Sequence, residues 1–493
     1  MRIVWRADRR LLVAGAAAFL VTAACYLIFI LTHAMDRWLA PVDLYVYRLG
    51  GDVVAQLAPG YRPGLAAPLY DWPGYGLKFT YTPFAAITFT LFALPAWGVL
   101  QALSVVLNIL AFLGTIWVTL RALGYRVGLA AVGGMLLLAG VLFWTEPVQR
   151  TLYLGQVELL LMALVMWDLC QPDWRWWKGA GVGIAAGIKL VPLIFIPYLL
   201  LTRRYRHAGV AAGTFVATVA VGFAVRPADS RAWWLHGLFI KGSRTGFIGW
   251  EGNQSLQGLI TRLAGSIAAG QPIWIAVAAV TLVVGLLAAA ALSRAGYPAA
   301  GIVTCALTAL LVSPISWDHH WVWIVPGVAI VACLGLQARG RVRWAWLTGA
   351  AVVTALFAAW PGFLWGQPID LGAFSEGFIW APPNTPPGTF ARLGDRPSYA
   401  EYHWAGWQLV TGNLYVLAGI AALIVIVVLA IRSRKASRLA TTTTARADKP
   451  VPVVTPQRRA TAGRPPRQQE CPLWRRSRVA ASVAAPQGTS RPS

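Results

Sequence analysis

Twelve apolar segments follow one another along this 493-residue chain. A membrane span needs about 18 to 20 mainly apolar residues, and lipid forces such a segment to pair its backbone groups within a helix. We therefore predict an all-α polytopic membrane protein with about 12 transmembrane helices joined by loops that carry short interfacial helices. The segments cover residues 11–32, 79–97, 99–120, 127–145, 151–170, 179–201, 208–226, 272–292, 297–312, 319–338, 342–365 and 411–431.

The composition agrees with this prediction. Hydrophobic residues make up 57% of the chain and charged residues only 12%, whereas a soluble domain carries about 25% charged residues. These values exclude a soluble enzyme, a disordered protein and a disulfide-rich secreted module. The five cysteines are scattered along the chain without a CxxC pair, so they predict no metal site.

Basic residues predict how the chain crosses the cytoplasmic membrane, because cytoplasmic loops are enriched in Lys and Arg. An even number of spans puts the N-terminus, residues 203–206, residues 339–343 and the C-terminal tail in the cytoplasm. The long loops then face the periplasm, and they comprise residues 33–78, 227–271, 313–318 and 366–410. Under this count the turn with Arg121 and Arg126 faces outward, against the rule, while residues 146–150 face inward.

The chain divides into a transmembrane domain, residues 1–432, and a basic tail, residues 433–493. The net charge is +24, and the last 62 residues contain 14 basic and two acidic side chains. Because the tail is rich in Thr, Arg, Pro and Ala without an apolar period, we predict that it is disordered and cytoplasmic. Anionic membrane lipid is its expected partner. Nucleic acid is not an expected partner, since no module for reading bases is present.

Asp43 is the first candidate functional residue, because ionisable groups beside spans cost about 2.5–3.5 kcal/mol and mark function by default. It follows the first span, at the start of a predicted interfacial helix whose Leu44 and Tyr47 would lie against the membrane. Two interpretations stay open. Asp43 either caps this helix or acts as a general base toward a sugar hydroxyl.

Lys189 lies midway through the segment 179–201, about ten residues from either end. A lysine at this depth is costly unless it snorkels to the interface or meets an anion. Pro192 is expected to break the helix and lift Lys189 toward the outer side. We favour a phosphate as the partner of Lys189.

Four further polar side chains suit hydroxyl groups. Gln156 and Glu158 fall inside an apolar run, where they either form interhelical hydrogen bonds or contact a substrate. Asn253 and Gln254 lie in the loop 227–271, and their amides match the hydroxyls of a sugar.

The stretch from Trp317 to Trp321 contains Asp318, His319 and His320 before the tenth segment. Adjacent histidines on a helix point about 100° apart, which disfavours a shared metal ion. Hydrogen bonds to a phosphate or sugar, with a tryptophan stacked on the ring, are one interpretation. A capping Asp318 flanked by interfacial rings is the other.

Together these residues resemble glycosyltransferase family 87, multi-spanning enzymes of the GT-C type from mycobacteria and relatives. The likeness is greatest to its polyprenol-phosphate-mannose-dependent α-1,2-mannosyltransferases. Two departures stand out: Thr82 replaces a proline that relatives often have, and Glu158 replaces an asparagine. The matching motifs are Asp43-x-x-x-Tyr47, Phe79-Thr80-Tyr81-Thr82-Pro83-Phe84, Leu154-Gly155-Gln156-Val157, Gly187-Ile188-Lys189-Leu190-x-Pro192, Asn253-Gln254-Ser255-Leu256 and Ser313-Pro314-Ile315-Ser316-Trp317-Asp318-His319-His320.

This resemblance implies a GT-C-like helical bundle and an inverting transfer that uses neither a metal nor another cofactor. The donor would be polyprenyl-phosphate mannose, and the acceptor a phosphatidylinositol mannoside or a related lipoglycan of the cell envelope. Asp43 would be the base, with Lys189, His319 and His320 at the donor phosphate. The sugars would contact Tyr47, Tyr81, Gln156, Glu158, Asn253, Gln254, Trp317 and Asp318.

Two alternatives remain at this point. The family also includes an arabinofuranosyltransferase, which uses decaprenyl-phosphate arabinose. A flippase or transporter of polyprenyl-linked sugars could share the phosphate contacts without a base. It would be expected to show inverted repeats with matching broken helices, and the break near Lys189 has no clear counterpart in the other half of the chain.

Overall fold

Helices form the regular structure throughout the part of the chain that a computed structural model describes, residues 8–32, 41–57, 68–71, 78–241, 244–360, 376–386 and 395–447. Within these residues only isolated bridges and no β-strands accompany the helices, which confirms the predicted all-α fold. In chain order, α1 to α19 are Asp8–Thr32, Val42–Val54, Pro83–Thr88, Thr90–Ala93, Trp97–Ala122, Leu129–Leu142, Glu146–Leu154, Glu158–Leu169, Ala180–Ile188, Phe195–Leu201, Tyr205–Val225, Pro227–Ser230, Leu256–Ala264, Ile267–Arg294, Pro298–Val312, Ile324–Gln337, Gly340–Leu356, Trp407–Thr411 and Leu414–Ala447. Short 3₁₀ turns cover Val191–Ile194, Leu238–Ile240, Asp318–Trp323, Phe378–Trp380 and Ala400–His403.

Six helices of the described chain are long and apolar enough to cross a membrane, or up to seven if the bent pair α7–α8 counts as one span. They are α1, α5, α11, α14, α16 with the 3₁₀ turn before it, and α19. The predicted number of about 12 is therefore not confirmed. Several predicted segments form short or broken helices instead, namely α3–α4, α6, α9–α10 and α15.

The predicted span 151–170 is replaced by two helices that meet at an angle of 118°. Helix α7 ends at Leu154 and is capped by Gly155, whose φ of +66° lies in the left-handed region. A Cβ at this glycine would lie 2.6 Å from the Cβ of Leu44 in α2. Glycine is therefore needed twice here, for the backbone conformation and for the close approach of α2.

The segment 179–201 is broken beside Pro192, as predicted. Helix α9 ends at Ile188, Lys189 is extended (φ −137°, ψ 129°), and the 3₁₀ turn Val191–Ile194 leads into α10. The two ends of this segment lie on the same side, because Asp173 pairs with Lys178 at 2.6 Å and with Arg204 at 3.2 Å. Lys189 is thus the tip of a V-shaped pair of half-helices rather than the middle of a crossing.

Helix α2 packs inward, which corrects the prediction that its apolar side lies against the membrane. Leu44 is 1% exposed and Tyr47 0% exposed. The Tyr47 ring stacks on the Phe89 ring with centroids 4.7 Å apart. Gly50 packs so closely on the Phe79 ring that a Cβ at this position would clash with a ring carbon. The protein interior, not lipid, therefore fixes the orientation of α2.

Arg262 of α13 organises the loops that precede α13 and α19. Its buried guanidinium donates to the backbone oxygens of Trp250 and Asn253 and to Asn413 Oδ1, at 2.9, 3.1 and 2.6 Å. Asn253 in turn binds the Ser316 backbone N–H through its Oδ1 at 2.9 Å. These bonds hold the loop 227–271 against the chain that carries the two histidines.

The last helix, α19, continues to Ala447. The first part of the predicted disordered tail, residues 433–447, is therefore helical. Residues 448–493, to which most of that prediction refers, lie outside the described residues.

Candidate functional site

Asp43 occupies the first turn of α2, and its side chain is half-buried. The N-cap of this helix is Pro41, and no side chain caps its N-terminus. The capping interpretation of Asp43 is therefore wrong. The side chain of Gln156, from the bend between α7 and α8, instead interacts with the Asp43 carboxylate and lowers the pKa of that group against the larger effect of burial.

Gln156 is held by two tyrosines. Its Oε1 accepts hydrogen bonds from the Tyr47 hydroxyl and, at 3.4 Å, from the Tyr81 hydroxyl, and the two hydroxyl oxygens are 2.8 Å apart. Because the amide oxygen is occupied in this way, the amide NH₂ is the group that can donate to Asp43. Asn108 Nδ2 fixes the backbone oxygen of Gln156 at 3.0 Å.

Lys189 lies at the tip of the V-shaped pair and meets two polar side chains. Its ammonium donates to Glu158 Oε1 and lies 2.9 Å from His320 Nε2, while Glu158 Oε1 and His320 Nε2 are 3.4 Å apart. The side chains are 18%, 11% and 8% exposed for Lys189, Glu158 and His320. The Tyr81 ring lies below the ammonium, with its centroid 5.6 Å from Nζ.

His319 is oriented by its neighbour in the 3₁₀ turn. Asp318 Oδ1 accepts from the His319 backbone N–H at 2.7 Å and from Nδ1 at 2.9 Å. The other oxygen, Oδ2, lies 3.4 Å from Nε of Arg150. His319 Nε2 is buried and has no hydrogen-bond partner in the described part of the chain. Trp321 Nε1 in the same turn is likewise buried without a partner among the described residues, so these two ring nitrogens are the polar atoms that the turn leaves for a ligand.

The donor atoms of Glu158, His319 and His320 all lie within 4.8 Å of one another, a spacing that a metal ion could use. The Lys189 ammonium occupies the same space and already binds two of the three residues. A divalent ion would have to displace this ammonium and lie beside its positive charge. Glu158 and His320 are therefore better suited to binding the Lys189 ammonium than to binding a metal ion.

Burial raises the pKa of the Asp43 carboxylate above its ordinary value. Charge interactions with His319, Lys189 and Arg150 oppose this effect, as does the interaction with the Gln156 side chain. Tyr81 connects the two sides of the predicted site, because its hydroxyl lies 3.4 Å from Gln156 Oε1 beside α2 and its ring centroid lies 5.6 Å from the Lys189 ammonium. A carboxylate, an ammonium and a histidine thus share one site beneath α2.

Three residues predicted to contact a sugar are fully enclosed. Tyr47, Asn253 and Gln254 are 0% exposed. The Asn253 amide NH₂ donates to the backbone oxygens of residues 248 and 314, and that of Gln254 to those of residues 251 and 412. These side chains hold loops and neighbouring helices together, and the geometry leaves them no free atom for a sugar.

The remaining members of the predicted sugar set divide. Glu158 belongs to the group of three side chains in mutual contact, Lys189, Glu158 and His320, which we call the Lys189 cluster. Asp318 is bound to His319 and Arg150. Trp317 is half-buried and meets the Trp250 ring edge-on, with centroids 5.6 Å apart.

Arg150 was not assigned a role from the sequence. Its guanidinium lies over the rings of Trp380 and Tyr153, 4.5 and 5.3 Å from their centroids, as well as beside Asp318. Glu146 accepts from Trp380 Nε1 at 3.2 Å. The sequence feature that could have identified Arg150 and Glu146 as site residues is their charge between two apolar segments. Trp380 has no such feature, because it lies in a loop without a recognisable motif.

Comparison with known proteins gives the following matches. The model of glycosyltransferase family 87 matches residues 79–314. A polyprenol-phosphate-mannose-dependent alpha-(1-2)-phosphatidylinositol pentamannoside mannosyltransferase of Mycobacterium tuberculosis is 33% identical over 81% of this chain and 87% of the relative. The protein of the same name from Mycolicibacterium smegmatis is 33% identical over 77% and 85%.

A third relative, a polyprenol-phosphate-mannose-dependent alpha-(1-2)-phosphatidylinositol mannoside mannosyltransferase of Mycobacterium tuberculosis, is 31% identical over 63% of this chain and 74% of its own. No solved structure matches.

Proposed function

The chain belongs to glycosyltransferase family 87, and we propose that it transfers mannose from polyprenyl-phosphate mannose to a membrane phosphatidylinositol mannoside or related lipoglycan. The new linkage is α-1,2. The likeness to relatives named for this reaction, which extends over 87% of one of them, carries the proposal. Because those names specify mannose, the arabinofuranose alternative is not favoured.

Asp43 is the proposed catalytic base. The acceptor hydroxyl oxygen attacks the anomeric carbon of mannose, and its proton passes to the Asp43 carboxylate. Asp43 lies in the first turn of α2 and its side chain is only half-buried, which supports access of the acceptor to the carboxylate. Attack on the face opposite the phosphate inverts the configuration at the anomeric carbon.

The leaving group is proposed to bind at Lys189 and the two histidines. The bond between the anomeric carbon and the phosphate oxygen breaks, and its electron pair goes to that oxygen. The Lys189 ammonium and a protonated His319 Nε2 would stabilise the developing charge. The support for this assignment is that Nε2 is buried without a partner in the described residues, next to the Lys189 cluster.

The site is proposed to open toward the periplasm from the cytoplasmic membrane. A lipid-linked donor is held at the bilayer surface, and the basic turns of the chain predict which of its ends face the cytoplasm. The rest of the molecule is proposed to contact the lipids of the bilayer, with anionic lipid at the basic tail.

An assay with purified protein in detergent tests the proposal. Wild type should transfer labelled mannose from polyprenyl-phosphate mannose to the glycolipid, with no sealed compartment, which a flippase cannot do.

Asp43→Asn should lower turnover by about 10²- to 10⁴-fold, the usual contribution of a general base. The matched control is Asp52→Asn on the same helix, where Asp52 lies 3.8 Å from Arg48; it should keep its activity. Near-normal turnover in folded Asp43→Asn would remove Asp43 from this role.

A further inference from the structure

Glu158 places a negative charge directly on the group that would receive the donor phosphate. Its Oε1 accepts from the Lys189 ammonium and lies 3.4 Å from His320 Nε2. Both partners also contact each other, at 2.9 Å. A phosphate that binds Lys189 must therefore share it with Glu158 or replace Glu158 as its partner.

The charge of the phosphate changes during the proposed reaction. In the sugar donor the phosphate is a diester with one negative charge. After transfer it is a monoester, which carries about −1.5 to −2 at pH 7. The carboxylate of Glu158 therefore repels the product more strongly than the donor, since like charges in a partly buried site repel with little screening.

We propose that Glu158 is an internal competitor for Lys189 that selects the sugar donor over the spent polyprenyl phosphate and hastens product release. The inference rests on the proposed function, because it assumes that Lys189 binds the donor phosphate. Glu158 restores its own bond with the ammonium as the monoester leaves. It is thus a specificity-determining residue for the lipid phosphate, distinct from the base and from the groups that stabilise the leaving oxygen.

The isosteric variant Glu158→Gln tests this role. Its amide oxygen still accepts from Lys189, but the negative charge is gone. We expect polyprenyl phosphate to bind about tenfold more tightly, a change of about 1.4 kcal/mol, and the sugar donor to gain less. Steady-state kcat should fall as product release slows, while the single-turnover rate of transfer stays close to wild type. A merely structural Glu158 would not separate these two rates.

Glu401→Gln is the matched control. Glu401 is a fully buried carboxylate that binds the backbone N–H and the hydroxyl of Thr385 at 3.1 and 2.7 Å, away from Lys189. This variant should leave the affinity for polyprenyl phosphate unchanged. Equal or weaker product binding in folded Glu158→Gln would overturn the inference, whereas a wild type that binds no polyprenyl phosphate at all would overturn the proposed function.

A measurement on the wild type covers the case in which Glu158→Gln does not fold. The second ionisation of a phosphate monoester lies near pH 6, as it does in phosphorylated side chains. Product inhibition by polyprenyl phosphate should therefore weaken between about pH 5.5 and 8, as the dianion forms beside Glu158. Inhibition that strengthens over this range would contradict the proposal.

Discussion

Asp43 combines partial burial with neighbours of opposite charge, and this combination sets the pH at which it can accept a proton. Burial raises its pKa, and the interactions with His319, Lys189 and Arg150 reduce but do not cancel the rise. A general base works only when it is ionised. Its raised pKa should therefore be visible as the acid limb of the rate profile.

We predict that kcat/KM falls on acidification with an apparent pKa above the value of about 3.9 for an unperturbed aspartate. Lys189→Met should move this limb to still higher pH, because it removes a positive charge that favours the ionised form of Asp43. The measurement is kcat/KM against pH in detergent, with Asp52→Asn as the control that leaves the limb in place. A limb at the ordinary aspartate value, or one that Lys189→Met shifts downward, would contradict this assignment.

The identities of the charged site residues were predictable, but their bonds were not. Asp43 and Lys189 stand out because charge next to or within apolar sequence is costly. Nothing in the sequence indicates that Glu158 pairs with Lys189 or that Tyr47 is enclosed, since both depend on contacts between distant segments. The two fully buried amides, Asn253 and Gln254, show the same limit, because a polar side chain that serves the fold looks identical in sequence to one that serves a ligand.

At the scale of helices, the break at Gly155 places Gln156 beside α2. The positive φ of Gly155 turns the chain by 118° between α7 and α8, and its missing side chain admits Leu44, the neighbour of Asp43. Hydropathy averages over such a bend, so an unbroken span is predicted there. The break at Lys189 was predictable because a proline marks it, whereas a glycine in an apolar segment gives no comparable signal.

Gly155→Ala should therefore impair both stability and catalysis. A side chain at positive φ costs about 1–2 kcal/mol, and the new methyl group would press α2 and Asp43 away from Gln156. We expect a lower unfolding temperature in detergent and turnover reduced by about tenfold or more, since small displacements of reacting groups are costly.

Gly134→Ala in α6 is the matched control, because no atom lies within 4 Å of the position of its new Cβ. It should retain both the activity and the unfolding temperature of wild type. Unchanged turnover in Gly155→Ala would show that the spacing between α2 and the bend does not matter for the reaction.

On the scale of the whole molecule, the contacts correct the predicted orientation of one turn. The Tyr125 hydroxyl accepts from Gln337 Nε2 at 3.3 Å, and Gln337 ends α16. Helix α16 begins next to the two histidines and runs about 21 Å away from them, at 1.5 Å per residue. The turn with Arg121 and Arg126 thus lies at the end opposite the site, beside the basic residues 339–343.

The segment 79–97 explains why the sequence predicts an outward position for Arg121 and Arg126, against the positive-inside rule. The sequence predicts a complete span there, but the structure has the two short helices α3 and α4, which are not among the helices long enough to cross a membrane. Without that crossing, residues 121–126 move to the side of residues 203–206 and 339–343, and the bend at Gln156 moves to the side of Asp43. The positive-inside rule and the contacts then agree.

Cysteine labelling of cells tests this orientation. In a background whose five native cysteines are replaced, Arg126→Cys and Arg203→Cys should react with a membrane-impermeant maleimide only after the cells are permeabilised. Lys241→Cys, exposed in the loop 227–271, should react in intact spheroplasts. Both arginines are exposed, so the side of the membrane on which each lies, rather than burial, decides whether it reacts.

If Arg126→Cys is labelled from outside while Arg203→Cys is not, the segment 79–97 crosses the membrane after all. The site would then lose its common face, because the additional crossing at 79–97 would place Gln156 and Asp43 on opposite sides.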